Sequence, residues 1–188
     1  SRGQQAAFLI FAWNCLMESV MASKDAWAQD LRKLHRDAEV RVQSPTDLKA
    51  DDDLAFYGPF SLISTDQGVR GYLHVLNDLC YQRASTFKLN TWRPDTSSFS
   101  NPIDAVERSL DSLPNQDFAE FIRSIATSLA SFDWRTSSTP NLDEQLRRAK
   151  LVFRGSSGYK EIRMQLLEHI ARGKGSVGAT AKRLMDQP

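Results

Sequence analysis

The chain has 188 residues, of which 41% are hydrophobic and 25% are charged, and its formal net charge is +1. This apolar content is enough to bury a core, which excludes a disordered chain, and two cysteines are too few for a disulfide-stapled scaffold. No charge-free apolar run reaches the roughly 20 residues that a membrane span requires, so we expect no membrane insertion.

The chain opens with Ser1-Arg2-Gly3 and enters an apolar run at once. We interpret this start as that of an excised fragment or a processed product. Asn14 and Glu18 interrupt the run, which favours a core helix over a signal peptide.

Apolar residues recur at helical spacing along most of the chain. The pattern predicts helices over residues 4–24, 25–42, 48–57, 66–84, 102–113, 116–132, 141–153, 159–172 and 177–185. A short strand within 86–92 is the only β-structure considered. The predicted fold class is therefore all-α, an irregular bundle of seven to nine helices.

Helix ends and faces can be assigned in part. Asp66 is the predicted N-cap of the helix that follows it. In the helix over 141–153, the spacing turns Leu142, Leu146, Ala149 and Phe153 inward, and it turns Arg147, Arg148 and Lys150 outward.

One long polar stretch, residues 85–101, separates two groups of helices. It predicts a linker or loop between an N-terminal helical subdomain of residues 1–84 and a C-terminal helical subdomain of residues 102–188. A single domain that carries a long loop is the alternative.

The charge is distributed unevenly. Residues 1–60 and 61–141 each carry seven Lys and Arg against nine Asp and Glu, whereas residues 142–188 carry ten against five, a net charge of +5. A local basic excess is typical of contact with a polyanion, although solvated helix faces produce the same pattern.

Two small-residue turns in this basic section each open a helix: Arg154-Gly155-Ser156-Ser157-Gly158 and Arg172-Gly173-Lys174-Gly175-Ser176. The first amides of a helix lack intrahelical partners and carry the positive end of its dipole, so such turns can receive an anion. A phosphate at the Gly158 amide would have Arg154 and Lys160 as charge partners. The alternative is that the glycines only end one helix and start the next.

The second turn resembles three known phosphate-binding motifs in part. A Walker loop is excluded, because the first glycine and the preceding strand are missing. Gly173, Gly175 and Ala179 match a helix-hairpin-helix motif, but Lys174 and Lys182 occupy its apolar positions. A helix-turn-helix would present Thr180, Lys182 and Arg183, although the chain ends before that unit is complete.

These features predict phosphate contacts that are salt-dependent and largely independent of base sequence. The predicted nucleic-acid-binding residues are Arg154, Gly158, Lys160, Arg163, Arg172, Lys174, Ser176, Lys182 and Arg183.

Catalytic and metal-binding signals are missing from the sequence. His35, His74 and His169 are isolated from metal-ligand spacings, and Asp51-Asp52-Asp53 lacks the alternating ligands and the glycine of a cation loop. We therefore predict no catalytic residues, no metal and no cofactor, while an active site assembled from distant residues remains a third hypothesis. The acidic triplet is expected to be solvated or to cap a helix.

Cysteines and tryptophans receive separate predictions. Cys15 and Cys80 lie in apolar helical patterns, which favours buried reduced thiols in an intracellular protein, with a disulfide as the alternative. Trp92 and Trp134 lie in or beside polar loops and are the aromatic candidates for the surface.

Two segments carry a resemblance to a known family: residues 64–79 (STDQGVRGYLHVLNDL) and residues 153–163 (FRGSSGYKEIR). They look like the helical part of DGQHR-domain proteins, a bacterial group associated with DNA modification and phage defence. The motif that names the family is absent here, and the likeness covers about a fifth of the chain. It implies a cytoplasmic bacterial protein with DNA as a partner.

The preferred hypothesis is a nucleic-acid-associated helical module of a bacterial DNA modification or defence system. The alternative is a protein-interaction or oligomerisation domain, for which an exposed apolar patch would be the distinguishing feature.

Overall fold

A computed structural model describes residues 1–34, 52–94 and 101–186 of the chain. Its α-helices are α1 (Arg2–Ala22), α2 (Ala26–Leu34), α3 (Leu54–Tyr57), α4 (Asp66–Gln82), α5 (Ala84–Phe87), α6 (Pro102–Ser112), α7 (Ala119–Ala130), α8 (Glu144–Lys150), α9 (Gly158–Arg172) and α10 (Ser176–Met185). Short 3₁₀ turns follow at Leu89–Thr91, Leu113–Asn115 and Leu151–Phe153. The predicted all-α class and irregular bundle are confirmed, with eight helices of seven residues or more in the described ranges.

The strand considered within 86–92 is wrong. Helix α5 and a 3₁₀ turn occupy that segment, and Lys88 joins them in the left-handed conformation, with φ of 49°. This residue changes the direction of the chain between two helical turns, which an extended strand would not allow.

Helix α4 begins one residue earlier than the capping prediction implied. Thr65, not Asp66, is the N-cap, and its hydroxyl accepts a hydrogen bond from the Gly68 amide at 3.1 Å. Asp66 occupies the first helical position, where a carboxylate favours the helix dipole.

The acidic triplet also serves a helix end. Asp53 caps α3 by accepting from the Ala55 amide at 2.8 Å, and it pairs with Arg32 of α2 at 2.9 Å. The capping role is confirmed for Asp53. Asp51, His35 and residues 35–51 in general lie outside the described ranges.

The helices share a single hydrophobic cluster. Helix α1 packs against α6 and α7, and α4 packs against α9, which also contacts α10. Buried residues from both predicted subdomains, such as Leu16, Leu76, Ile125 and Leu166, belong to this cluster. The division at residues 85–101 stays a prediction, but the packing across it is extensive.

Helix α4 and helix α9 approach each other closely at Gly71. A Cβ atom placed there would lie 2.6 Å from Cγ2 of the buried Ile162. The two segments that carry the family resemblance meet at this crossing. They are also joined by Arg163, whose Nε donates to Asp78 at 2.6 Å.

Helix α1 is long and apolar enough to cross a membrane when it is judged by length and composition alone. The core helix of a globular domain passes the same test, and α1 buries Phe11, Leu16 and Val20 against its neighbours.

Three side-chain assignments are wrong, those of Lys150, Ala149 and Trp134. Lys150 is buried, with 5% of its surface exposed, whereas Ala149 is exposed. Lys150 turns inward because the Asp133 carbonyl oxygen accepts from its Nζ at 2.7 Å. Trp134, predicted at the surface, is fully buried, and its indole donates to the Leu129 carbonyl at 2.8 Å.

Candidate functional site

Five of the predicted phosphate-contacting cations lie exposed on the C-terminal helical pair. Within the described ranges none of them forms an ion pair; they are Lys160, Arg172, Lys174, Lys182 and Arg183. By contrast, Arg148 in the same section is neutralised by Glu144 at 3.0 Å. The last two helices therefore present unpaired positive charge to solvent.

The turn between α9 and α10 lies among these cations. Gly175 precedes α10 with φ of 92°, a conformation that favours glycine, and no side chain from residues 1–34, 52–94 or 101–186 caps the helix. A cavity of about 240 Å³ opens at this point, with Ser124, Ser128 and Lys174 in its wall. Ser176, a predicted contact residue, is exposed at the first position of the helix.

The first small-residue turn is arranged differently. Gly158 is buried, and its amide donates to the Gly155 carbonyl at 3.2 Å. A Cβ at Gly158 would lie 2.0 Å from the Phe153 carbonyl oxygen, so glycine is needed there for chain packing. In this structure the Gly158 amide therefore already has an acceptor within the chain.

Two further predicted contacts are engaged inside the protein. Arg163 pairs with Asp78, and the Arg154 guanidinium donates to the hydroxyls of Ser137 and Ser138, each at 2.9 Å. Thr180 is 1% exposed and donates to the Ser176 carbonyl at 2.7 Å, so α10 does not present it as a helix-turn-helix would require.

A second pocket, which we call the hydroxyl pocket, has Arg154 in its wall. Its volume is about 280 Å³, and its wall includes Thr65, Thr136, Ser137, Ser138, Lys150 and Arg154. The chain segment after α7 forms one side by pairing with the segment before α4. Leu62 donates to the Trp134 carbonyl at 2.7 Å, and Thr136 donates to that of Phe60 at 2.8 Å.

Arg147 holds the other end of this loop. Its guanidinium donates to the carbonyl oxygens of Ser137 at 2.6 Å and Thr139 at 3.1 Å. The hydroxyls at 136–138 are therefore carried on a segment that is fixed at both ends.

The electrostatics behind the pocket depend on Asp133. Burial raises the pKa of its carboxyl, but hydrogen bonds from Arg135 and the charge of Lys150 outweigh this and hold the pKa below its usual value. Burial lowers the pKa of Lys150, an effect that the Asp133 carboxylate only partly offsets. Arg135 donates to both Asp133 oxygens, at 3.0 and 2.8 Å, so this carboxylate is already compensated.

An apolar groove lies between α1 and α4. Its volume is about 610 Å³, and Phe8, Leu9, Leu73, Leu76 and Trp92 contribute to its wall. Trp92, a surface candidate, is only partly exposed, because its indole donates to Ser112 at 3.0 Å. Leu9 and Tyr81 remain 46% and 78% exposed beside the groove.

The histidines do not assemble a catalytic group in the described chain. His169 Nε2 lies 2.9 Å from Ser131 Oγ and 3.1 Å from the Ser128 carbonyl, but the Ser131 hydroxyl donates to that same carbonyl at 2.9 Å. The His169 ring, the Ser131 hydroxyl and the Ser128 carbonyl therefore interact with one another at the C-terminal end of α7. His74 stacks on Tyr159, and no cluster of three potential metal ligands occurs among the described residues.

Sequence reasoning did not find the hydroxyl pocket or the apolar groove. The run Thr136-Ser137-Ser138-Thr139 lies between two predicted helices, and the sequence predicts that Lys150 faces solvent. Four consecutive hydroxyl residues were the available signal, but their relation to Arg154 depends on the loop path.

Comparisons of this chain with protein-family models, with curated proteins and with solved structures find no match.

Proposed function

We propose that this chain is a nucleic-acid-associated helical module that contacts phosphates with the C-terminal pair α9 and α10. The observation that carries the proposal is the set of five exposed cations without ion pairs around an uncapped helix start. Unpaired surface cations interact with a polyanion without first breaking internal salt bridges. Arg154, Gly158 and Arg163 have internal partners, so the proposal rests on the other predicted residues.

A bacterial DNA modification or defence system is the proposed setting, with a cytoplasmic location. Its support is the likeness of residues 64–79 and 153–163 to the helical part of DGQHR-domain proteins. In the fold these two segments pack directly against each other, with Arg70 lying 4.0 Å from the ring centre of Tyr159.

The expected salt dependence follows from the number of cations. Each phosphate neutralised on duplex DNA contributes about −0.9 to the slope of log affinity against log salt concentration, so five contacts would give about −4.5. Between 50 and 200 mM salt, affinity would then fall by about 500-fold, on the same relation.

Fluorescence anisotropy with a labelled duplex tests this proposal. The variant Arg172→Ala/Lys174→Ala/Lys182→Ala should weaken binding and reduce the slope by about 2.7. Arg148→Ala is the matched control, because this exposed cation of the same section is already paired with Glu144. Absence of binding at low salt, or a slope unchanged in the triple variant, would refute the proposal.

The alternative candidate is association with a second copy of the chain through the apolar groove. Leu9 and Ile10 are 46% and 42% exposed on α1, which also forms one wall of the groove. A ridge beside a groove on the same face can be self-complementary across a two-fold axis. Sedimentation velocity with wild type and Leu9→Ser tests it: a dimer that the substitution dissociates would support this candidate, and a monomer at all concentrations would exclude it.

A further inference from the structure

We infer that the hydroxyl pocket is a binding site for a small phosphate-bearing ligand. This inference is independent of the proposed nucleic-acid contact, because it uses Lys150, Arg154 and the hydroxyls at 136–138 and none of the five cations on which that proposal rests. Its volume of about 280 Å³ is just below the range of about 300–1,000 Å³ that is typical of drug-sized ligands, so it suits a small ligand.

The pocket offers many hydrogen-bond donors. Arg154 has five N–H groups and gives two of them to Ser137 and Ser138, which leaves three. Because both serine oxygens act as acceptors for Arg154, their own O–H groups remain free to donate. Several donors of this kind can surround the oxygens of one phosphate group.

Thr136 supplies an independent observation. Its Oγ1 is buried and has no hydrogen-bond partner within the described residues, although Thr136 lies in the pocket wall. A buried hydroxyl without a partner costs free energy, and an acceptor oxygen in the pocket would remove that cost. Because this oxygen has almost no accessible surface, the Thr136 side chain must rotate before a ligand oxygen in the pocket can accept a hydrogen bond from it.

The charge balance favours an anion over a neutral ligand. Lys150 and Arg154 both line the pocket, but Lys150 pairs with Asp133 at 3.5 Å, and Arg135, which also engages Asp133, pairs with Asp30 at 2.9 Å, so these four charges balance. Among the described residues, Arg154 contacts neutral hydroxyls and no carboxylate. Its guanidinium therefore keeps an uncompensated charge, and guanidinium geometry suits bidentate binding of phosphate.

Isothermal titration calorimetry with inorganic phosphate and with phenyl phosphate tests the inference. Stronger binding of the ester than of the free ion would identify a phosphate monoester as the ligand class, and the reverse would identify free phosphate. Amide shifts of Ser137, Ser138 and Gly155 in ¹⁵N-resolved NMR spectra should saturate along with the heat signal. Failure of both compounds to produce saturable shifts at these amides would overturn the inference.

Two substitutions locate the site. Arg154→Gln should raise the Kd by about 10- to 100-fold, the range expected for a charged hydrogen bond, and Thr136→Val should raise it by about 2- to 12-fold. Thr136→Val also separates binding from folding. Since the hydroxyl has no hydrogen-bond partner in the described part of the chain, its removal should leave the Tm unchanged or raise it, while reducing the increase in Tm that phosphate produces.

The triple variant Arg172→Ala/Lys174→Ala/Lys182→Ala distinguishes this inference from the proposed function. It should lose duplex binding and retain phosphate binding, whereas Arg154→Gln should do the opposite. If the triple variant loses phosphate binding and Arg154→Gln retains it, the pocket is not the site. If the wild-type protein binds phosphate but does not bind the duplex, the proposed function fails and the pocket inference is still supported.

Discussion

Replacing Lys150 by methionine tests the most unexpected contact of the fold, a lysine buried against the chain segment after α7. The substitution keeps the unbranched aliphatic stem and removes only the ammonium group, so packing around Phe132 and Phe153 is preserved. The Lys150 Nζ lies 6.0 and 5.8 Å from the centres of these two rings.

Three terms decide the size of the effect. The Coulomb attraction between Nζ and the Asp133 carboxylate, 3.5 Å apart, is worth about 5 kcal/mol at an effective dielectric constant of about 20. Release of the buried ammonium from its desolvation penalty, several kcal/mol, largely cancels this loss. The hydrogen bond to the Asp133 carbonyl is then the net loss, so we expect the free energy of unfolding to fall by about 2 kcal/mol.

Urea denaturation followed by circular dichroism measures this change. Lys160→Met is the matched control, because Lys160 is exposed and without an ion pair in the described chain, and its effect should stay within about 0.5 kcal/mol. Equal midpoints for the two variants would refute a structural role of the buried ammonium. A fall in the free energy of unfolding of more than about 4 kcal/mol would show that Arg135 by itself does not compensate the charge of Asp133 once the Lys150 ammonium is removed.

Three other predictions concern the helix crossing, a thiol and a histidine. Gly71→Ala should lower the Tm, because the clash between the new Cβ and Ile162 costs about 1–3 kcal/mol and outweighs a gain in helix propensity of about 1 kcal/mol. Gly3→Ala should not lower the Tm, because its Cβ would lie 3.6 Å from Ala105. Burial raises the pKa of Cys80 to about 12, so iodoacetamide should label it only as fast as the protein unfolds; labelling at a rate independent of denaturant would contradict this. Burial also lowers the pKa of His169, so its neutral form is favoured in the fold and stability should decline as pH falls below about 6.5. His169→Gln should reduce that decline in urea midpoints between pH 7.5 and 5, and an unchanged decline would contradict this assignment.

The helices were predictable because their apolar periodicity is local information. The predicted range 159–172 differs by one residue from α9, and 102–113 differs by one residue from α6. The same reasoning failed for Lys150, because the rule that charges face solvent assumes that no polar chain segment lies beneath the helix. Here the Asp133 carbonyl lies there.

The prediction for Trp134 is wrong for a different reason. Its neighbours are polar, so the segment was assigned to the surface, but pairing of residues 134–136 with residues 60–62 carries the tryptophan into the core. Such pairing joins positions more than 70 residues apart, and no local pattern reports it. The hydroxyl pocket was missed for the same reason, since its wall combines residues from 65, from 136–138 and from 150–154.

The basic residues of the last quarter of the chain therefore form two groups whose interactions depend differently on salt. Of the two cations in the described wall of the pocket, Lys150 is buried and only Arg154 is exposed, whereas the surface proposed to bind duplex DNA carries five exposed cations. Salt screens exposed charges over about 8–10 Å at physiological ionic strength but screens buried groups much less. Phosphate affinity at the pocket should accordingly change by only a few-fold over a range of salt that removes duplex binding at the surface. A parallel loss of both affinities with salt would mean that one exposed surface accounts for both.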